Sequence, residues 1–259
     1  MKKDISMSMI VREDPFLEKC ILSFRYWVKE LIIIITSHKD EAAMKVARKY
    51  SDYWEVYEGC NDEKDQMANF PLARNRALSL CSNDWIMWID SDDLMVGGEN
   101  LQKVISSWDQ IQQPGLDAVI FAMPYQYSYH DDGTVKEQFY RERLLYKKEN
   151  FTWEHIAHEA IAPMPGKSVA MVKSDLVIYQ HQRQYNNPKP QQTFMNKRIL
   201  QKYFDDGGRN GRNLYHLAME HINYQDFSKA KKYLKICAVD PECEERELAS
   251  EHLAKLKLH

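Results

Sequence analysis

Asp90, Asp92 and Asp93, three carboxylates within four positions and with Ser91 between the first two, are the residues best placed to do chemistry. They end an apolar run, Trp85-Ile86-Met87-Trp88-Ile89, in a stretch that opens at Asp84. Ionised and unpaired, three such groups repel one another, and a divalent cation, or a ligand bridged by one, is the usual relief. A short apolar run bounded by polar residues reads as a strand buried on both faces. In open α/β sheets, ligands bind in the crevice beyond the carboxyl ends of the strands. The chemistry expected is metal-assisted binding of a phosphorylated ligand. An acidic surface turn after a strand would carry the same letters, so the surrounding elements must decide.

Those elements alternate. Ile5 to Val11 suits a first strand, and Arg12-Glu13-Asp14-Pro15 breaks it. Phe16 to Tyr26 has helical spacing, with Leu17, Ile21 and Phe24 on one face. Leu31 to Ile35, with four isoleucines in a row, is a second buried strand. A helix over Glu41 to Tyr50 follows, then a third strand over Tyr53 to Tyr57. A polar loop from Glu58 to Asn69 leads to a helix carrying Ala73, Ala77, Leu78 and Leu80, and so to the acidic strand. Strand and helix at this spacing predict βαβ units and a largely parallel sheet covered on both faces.

After Asp93 the pattern predicts a helix over Leu101 to Trp108 and a strand over Ala118 to Met123. Tyr125 to His130 and Val135 to Tyr146 flank Asp131-Asp132-Gly133-Thr134, a β-hairpin signature, so antiparallel strands come late. Ser168 to Val172 and Leu176 to His181 read as two further strands. A connector rich in Pro, Asn and Gln, Gln184 to Gln192, separates a first domain (1–183) from a C-terminal helical extension (193–259). In that extension Phe194 to Phe204, Asn213 to Tyr224, Ser228 to Val239 and Glu245 to Leu256 have helical spacing. Leu214, Leu217, Ala218, Ala230, Leu234 and Pro241 fall near the pattern of one tetratricopeptide-type hairpin. One repeat cannot stack into a solenoid, so helices packed on the first domain are expected rather than a protein-binding array.

Composition sets the outer bounds. The 259 residues can bury a sizeable core, and 44% hydrophobic with 28% charged residues is ordinary for a globular chain. A net charge of −3 with no Lys/Arg block argues against a nucleic-acid partner. Cysteines 20, 60, 81, 237 and 243 include no C-x-x-C pair, so reduced, buried thiols in a cytoplasmic protein are expected. Met1-Lys2-Lys3-Asp4 leads into no signal-peptide core, and Leu31 to Ile35 is too short to span a membrane.

Several motifs, in order, resemble family 2 glycosyltransferases with the GT-A fold, in the subgroup that carries tetratricopeptide-like helices downstream. They are Ile10-Val11-Arg12-Glu13, Thr36-Ser37-His38-Lys39-Asp40, Phe70-Pro71-Leu72-Ala73-Arg74-Asn75, the acidic strand, and Trp153-Glu154-His155-Ile156-Ala157-His158-Glu159. The resemblance covers roughly residues 5 to 182 and, more loosely, the tail. It implies a GT-A fold, a mostly parallel sheet with late antiparallel strands, that moves a sugar from a nucleotide-diphosphate donor, usually with inversion. It also implies Mn²⁺ or Mg²⁺ at Asp92, with His181 as a further ligand. Donor contacts are implied at Val11, Arg12, Thr36, Asp40, Arg74, Asp90 and Ser91. Asn75 would brace a loop, and Trp153 would suit stacking on a sugar or a place in the core. Glu159 is the implied base, Glu154 being the other candidate. In extended structure, residues five apart face opposite sides, so one of the two would point into the cleft.

The family usually places an aspartate near the end of the second strand to bind uridine, and Ile35-Thr36 carry none. A UDP-sugar is the expected donor, with a base other than uracil kept open by that departure. Sugar, protein side chain, lipid-linked glycan and modified nucleobase all stay open as acceptors. A haloacid-dehalogenase-type phosphatase would need Thr or Val where Leu94 stands, and a sugar nucleotidyltransferase an early glycine-rich loop absent between Val11 and Cys20. The non-enzyme alternative is a scaffold with a degenerate site whose C-terminal helices bind a partner.

Overall fold

The structure, a computed structural model, describes residues 2–182, 190–241 and 243–256. In chain order the first half comprises β1 (Ile5–Val11), α1 (Leu17–Phe24), β2 (Glu30–Ile35), α2 (Glu41–Tyr50), β3 (Tyr53–Val56), α3 (Phe70–Leu80), β4 (Trp85–Trp88), β5 (Asp93–Val96) and α4 (Leu101–Ile111). Then come β6 (Ala118–Tyr129), β7 (Val135–Tyr146), β8 (Phe151–Glu154), β9 (Ala160–Pro163), β10 (Val169–Lys173) and β11 (Ile178–His181). The helices α5 (Pro190–Asp205), α6 (Gly211–Asn223), α7 (Phe227–Val239) and α8 (Arg246–Leu256) follow. The expected connector falls outside the described residues as far as residue 189.

Two compact units divide the chain. The first takes Met1–Cys60, Leu72–Trp153 and Ile161–Asn187; the second takes Asn61–Pro71, Glu154–Ala160 and Pro188–His259. In the first, the main sheet runs β3-β2-β1-β4-β7-β6-β11-β5, with β10 also paired to β6. The β1–β2, β1–β4 and β2–β3 pairs are parallel, as the βαβ spacing predicts. β7 runs antiparallel to both β4 and β6, and β5 antiparallel to β11. β10 and β11 are parallel to β6, so β7 and β5 are the reversed strands.

Side chains alternate across this sheet and fill two cores. Met7, Met9, Leu31, Ile33, Ile35, Trp85 and Met87 pack on one face with α1 and α4 residues such as Phe24 and Val104. Ile32, Ile86, Trp88, Ile120 and Leu145 pack on the other with Leu78, Trp153 and Ile161. A strand covered on both faces needs apolar residues at every position, which is why the isoleucine run reads so clearly.

Three differences from the sequence reading matter for the site. β4 closes at Trp88, because Asp93 N–H returns to Asp90 O (3.0 Å) and the acids form a turn. β5, not anticipated, follows at once and pairs with β11. Gly97 (φ 83°) then turns the chain where a Cβ would lie 2.5 Å from the Leu176 carbonyl. Finally, β6 is one strand through Pro124 rather than two, because pairing with β7 continues on both sides of the proline.

In the second unit, Leu214, Leu217, Ala218, Ala230 and Leu234 of α6 and α7 are buried, and Asn210 and Asp226 cap the two helices through the N–H groups of Asn213 and Lys229. Cys237 and Cys243 form a disulfide, which corrects the expectation of five reduced thiols. The turn after α7 brings their Cα atoms to 5.8 Å, within disulfide reach, although the spacing resembles no redox motif. Cys20, Cys60 and Cys81 are buried and outside any disulfide.

Candidate active site

β4 and β5 flank the acidic turn, and the neighbouring strands supply its partners. Asp90 Oδ1 accepts from Arg74 Nη2 at 2.6 Å. α3 delivers that arginine, and its guanidinium lies 4.8 Å from both the Trp88 and Trp153 rings. Burial alone would push the Asp90 carboxyl up, but Arg74, Arg141 and Arg143 outweigh it and hold the group below the usual carboxylate range. Asp93 is fully buried: Oδ2 accepts from Arg143 Nη2 (2.8 Å) and Oδ1 from the Tyr125 hydroxyl (2.9 Å). Arg143, also fully buried, lies 4.0 Å over Trp88 and 4.4 Å over Tyr179.

Arg143 reaches this position through a β-bulge. Phe121 pairs with Leu144 and Ala122 with Glu142, so Arg143 is the extra residue between them. A bulge re-aims a side chain that plain alternation would place elsewhere. Sequence reasoning missed Arg143, Tyr125 and the role of Asp93, because Arg141-Glu142-Arg143 reads as exposed strand charge and nothing local announces the bulge. The repulsion argument was right about the need for positive charge; part of it comes from arginines rather than a cation. Removing one partner of a fully buried pair strands the other charge, so Arg143→Met is expected to cost about 3–5 kcal/mol in urea unfolding. A loss below about 1 kcal/mol would contradict this placement.

The third cluster is Asp92, Asp93 and His181. His181 closes β11 and stands in register with Asp93. Its Nδ1 lies 3.2 Å from Asp93 Oδ1 and 3.8 Å from Asp92 Oδ1. One ligand atom from each of the three lies within 4.8 Å of the others, and carboxylate oxygens with an imidazole suit Mn²⁺ or Mg²⁺. The donor set therefore fits the expected metal.

The expected donor contacts fall at the ends of β1, β2 and β4. Val11 and Thr36 are buried; Thr36 N and Oγ1 both donate to Val11 O, and Arg12 Nη1 donates to Thr36 O (2.8 Å). Asp40 caps α2, its Oδ1 accepting from Ala43 N–H, while Oδ2 accepts from Glu13 N–H (2.6 Å). Ser91 Oγ donates to Asp14 Oδ2 (2.9 Å). Asn75 holds the strand β8 rather than a loop, since its side chain donates to Trp153 O and accepts from Trp153 N–H.

Glu159 belongs to the second unit, with Glu154. Here the extended geometry expected between them is corrected. Glu154 ends β8, exposed, and the chain then bends with His155 (φ 65°) and His158 (φ 53°) in the left-handed region. Residues other than glycine seldom adopt it, and such strain concentrates at functional segments. His158 Nε2 lies 3.2 Å from Glu220 Oε1, and its ring stacks on His216 with centroids 4.3 Å apart. Burial, with His158, Arg212 and His155 nearby, drives the His216 pKa down to about 3, so that ring is neutral at physiological pH.

Fold and site define a class: an α/β protein with a cation-competent acidic centre beyond the carboxyl ends of a mostly parallel sheet. Residues 9–175 match the sequence profile of glycosyl transferase family 2, and the chain belongs to that family. Among solved structures it is similar to residues 1–349 of S. aureus TarS in complex with UDP-GlcNAc, at 10% identity and a TM-score of 0.52, covering 98% of this chain and 89% of that one. Glucosyl-3-phosphoglycerate synthase from Mycobacterium tuberculosis, in complex with Mn²⁺ and uridine-diphosphate-glucose, matches at 16% identity and a TM-score of 0.41, over 80% of each chain. No curated protein sequence matches closely enough to count as a relative. The fold is the GT-A fold, and the protein is a glycosyltransferase. Among the described residues, no helix is long and apolar enough to cross a membrane.

Proposed function

We propose that the chain is a metal-dependent, inverting transferase that moves a sugar from a nucleoside-diphosphate donor to a hydroxyl acceptor. The observation that carries this reading is the Asp92–Asp93–His181 cluster at the strand ends of a family 2 domain. Asp93 already neutralises Arg143, so Asp92 and His181 are the assigned metal ligands. When bound, the cation supplies neutralisation of the charge that develops on the leaving diphosphate. Arg74 and Asp90, already bonded to each other, line the donor side with Arg12, Ser91 and the backbone at Val11 and Thr36. Asp40 supports that side indirectly, by capping α2 and holding Glu13. The acceptor oxygen attacks the anomeric carbon opposite the diphosphate. Its proton passes to a Glu159 carboxylate oxygen, and the electron pair of the broken C–O bond leaves on the diphosphate.

Thermal shift with a panel of nucleotide sugars, each with Mn²⁺ and with chelator, tests the reading. A ligand at about 100 times its Kd adds about 2.7 kcal/mol of stability, so one donor should raise Tm clearly, and only with metal. UDP-sugars are the expected hits, since TarS was solved with UDP-GlcNAc. No shift with any donor would favour a degenerate site. We place the protein in the cytoplasm because three of its cysteines are buried thiols outside any disulfide. The Cys237–Cys243 bond pulls the other way. Thiol titration of unfolded, non-reduced protein should find five thiols in a reducing compartment and three in an oxidising one.

A further inference from the structure

The end of the β6–β7 hairpin carries aromatic rings that the reaction above does not use. Gln126 pairs with Gln138 and Ser128 with Glu137, so Tyr127 is the extra residue of a second bulge. Its ring lies parallel to that of His181, at 15° with centroids 5.8 Å apart. Phe139 of β7 sits 6.0 Å from Tyr127 and meets Tyr125 edge-on at 5.4 Å. Tyr127 and Phe139 remain 39% and 45% exposed, while Tyr125 beneath them is buried and bonded to Asp93. Large, partly exposed aromatic rings beside a polar centre suit a ligand that is apolar on one face and hydrogen-bonding at its rim.

Sheet order narrows what that ligand is. The donor positions at Val11 and Thr36 lie on the β1–β2 side of β4, whereas Tyr127 and Phe139 lie on the β7–β6 side. At about 4.8 Å per strand, three steps separate β1 from β6 by roughly 14 Å. The assigned cation ligands are Asp92, which leads into β5, and His181, which ends β11 next to β6 and stacks on Tyr127; a diphosphate held there with its nucleoside toward β1–β2 carries its sugar end toward Tyr127 and Phe139. A nucleobase would also stack on aromatic rings, but its positions are on the opposite flank. We propose that Tyr127 and Phe139 form a stacking shelf for a pyranose ring of a saccharide acceptor. The proposal rests on the transferase reading, and it replaces an open list of acceptors with one class.

The test uses the full chain with Mg²⁺ and UDP, GDP or CDP, and saturation-transfer NMR against a panel of methyl glycosides and disaccharides. Wild type should transfer saturation from aromatic protons to one ring face of at least one saccharide. Phe139→Ala and Tyr127→Ala should each weaken that saccharide about tenfold or more, with nucleoside diphosphate affinity unchanged within about twofold. Phe139→Tyr should restore it. Unchanged saccharide binding in both alanine variants would overturn the shelf, as would a wild type that binds a nucleoside diphosphate but no saccharide. Loss of nucleotide-sugar affinity without loss of nucleoside diphosphate affinity would assign the ring to the donor and overturn the acceptor assignment. Loss of nucleoside diphosphate affinity would assign the shelf to the base instead. A wild type that binds no nucleoside diphosphate and no nucleotide sugar would sink the transferase reading itself, a separate failure.

Discussion

Glu159→Gln is expected to bind donor and metal like the wild type and to lose about 10²–10⁴ of its transfer rate. The amide keeps the shape of the carboxylate and removes its basicity, so only the step that moves the acceptor proton is affected. Glu154→Gln is the matched control. Glu154 is exposed at the end of β8, whereas Glu159 is half-buried directly after His158, whose ring is held by Glu220 and His216. A carboxylate in a restrained loop loses less entropy in reaching a fixed geometry, the condition under which general bases are effective. Single-turnover rates at saturating donor measure the effect. A near-wild-type rate for Glu159→Gln beside a large loss for Glu154→Gln reverses the assignment.

Asp92→Asn should remove most of the metal dependence of nucleoside-diphosphate binding while leaving the fold intact. Outer partners of metal ligands cost about 10–100-fold in metal affinity when mutated, and a direct ligand should cost at least that. Titration calorimetry with Mn²⁺, then with chelator, reads the difference. Asp93→Asn, one residue along, should behave differently. It leaves Arg143 buried beside a neutral group, so its loss appears first in unfolding. Two adjacent aspartates thus separate by assay, one through metal linkage and one through stability. If both act only on stability, or if wild-type affinity is the same with chelator, the assigned metal site is wrong.

Much of the frame was legible because burial imposes simple periods. β1, β2 and α2 have the expected positions, since β2 is covered on both faces and carries an unbroken apolar run from Leu31 to Ile35, β1 alternates before turning apolar at Met9-Ile10-Val11, and α2 starts at an aspartate cap. The acidic centre was legible for the same reason, as an apolar run that stops at carboxylates. What the sequence hid depends on partners far along the chain. β5 is Asp93-Leu94-Met95-Val96, four residues with a charge at one end and glycines after; it is extended because β11 pairs with it. Arg143 and Tyr127 owe their directions to bulges, which change the count of residues along a strand without changing their types. The bend at His155 and His158 was invisible for a related reason: left-handed backbone at histidine carries no compositional mark.

The bond between His181 and Asp93 spans 88 positions, and that separation has a kinetic consequence. Contacts far apart in sequence carry a large loop-closure cost and form late unless earlier structure shortens the path. β1, β2 and β4 can pair soon after collapse, but the imidazole reaches the acidic turn only once β6, β7 and β11 are laid down in turn. The proposed cation site is then complete only once β11 has docked. A nascent or nicked chain that lacks β11 has neither the histidine nor the strand that pairs with β5, so the proposed site stays incomplete until the last strand of the sheet is made.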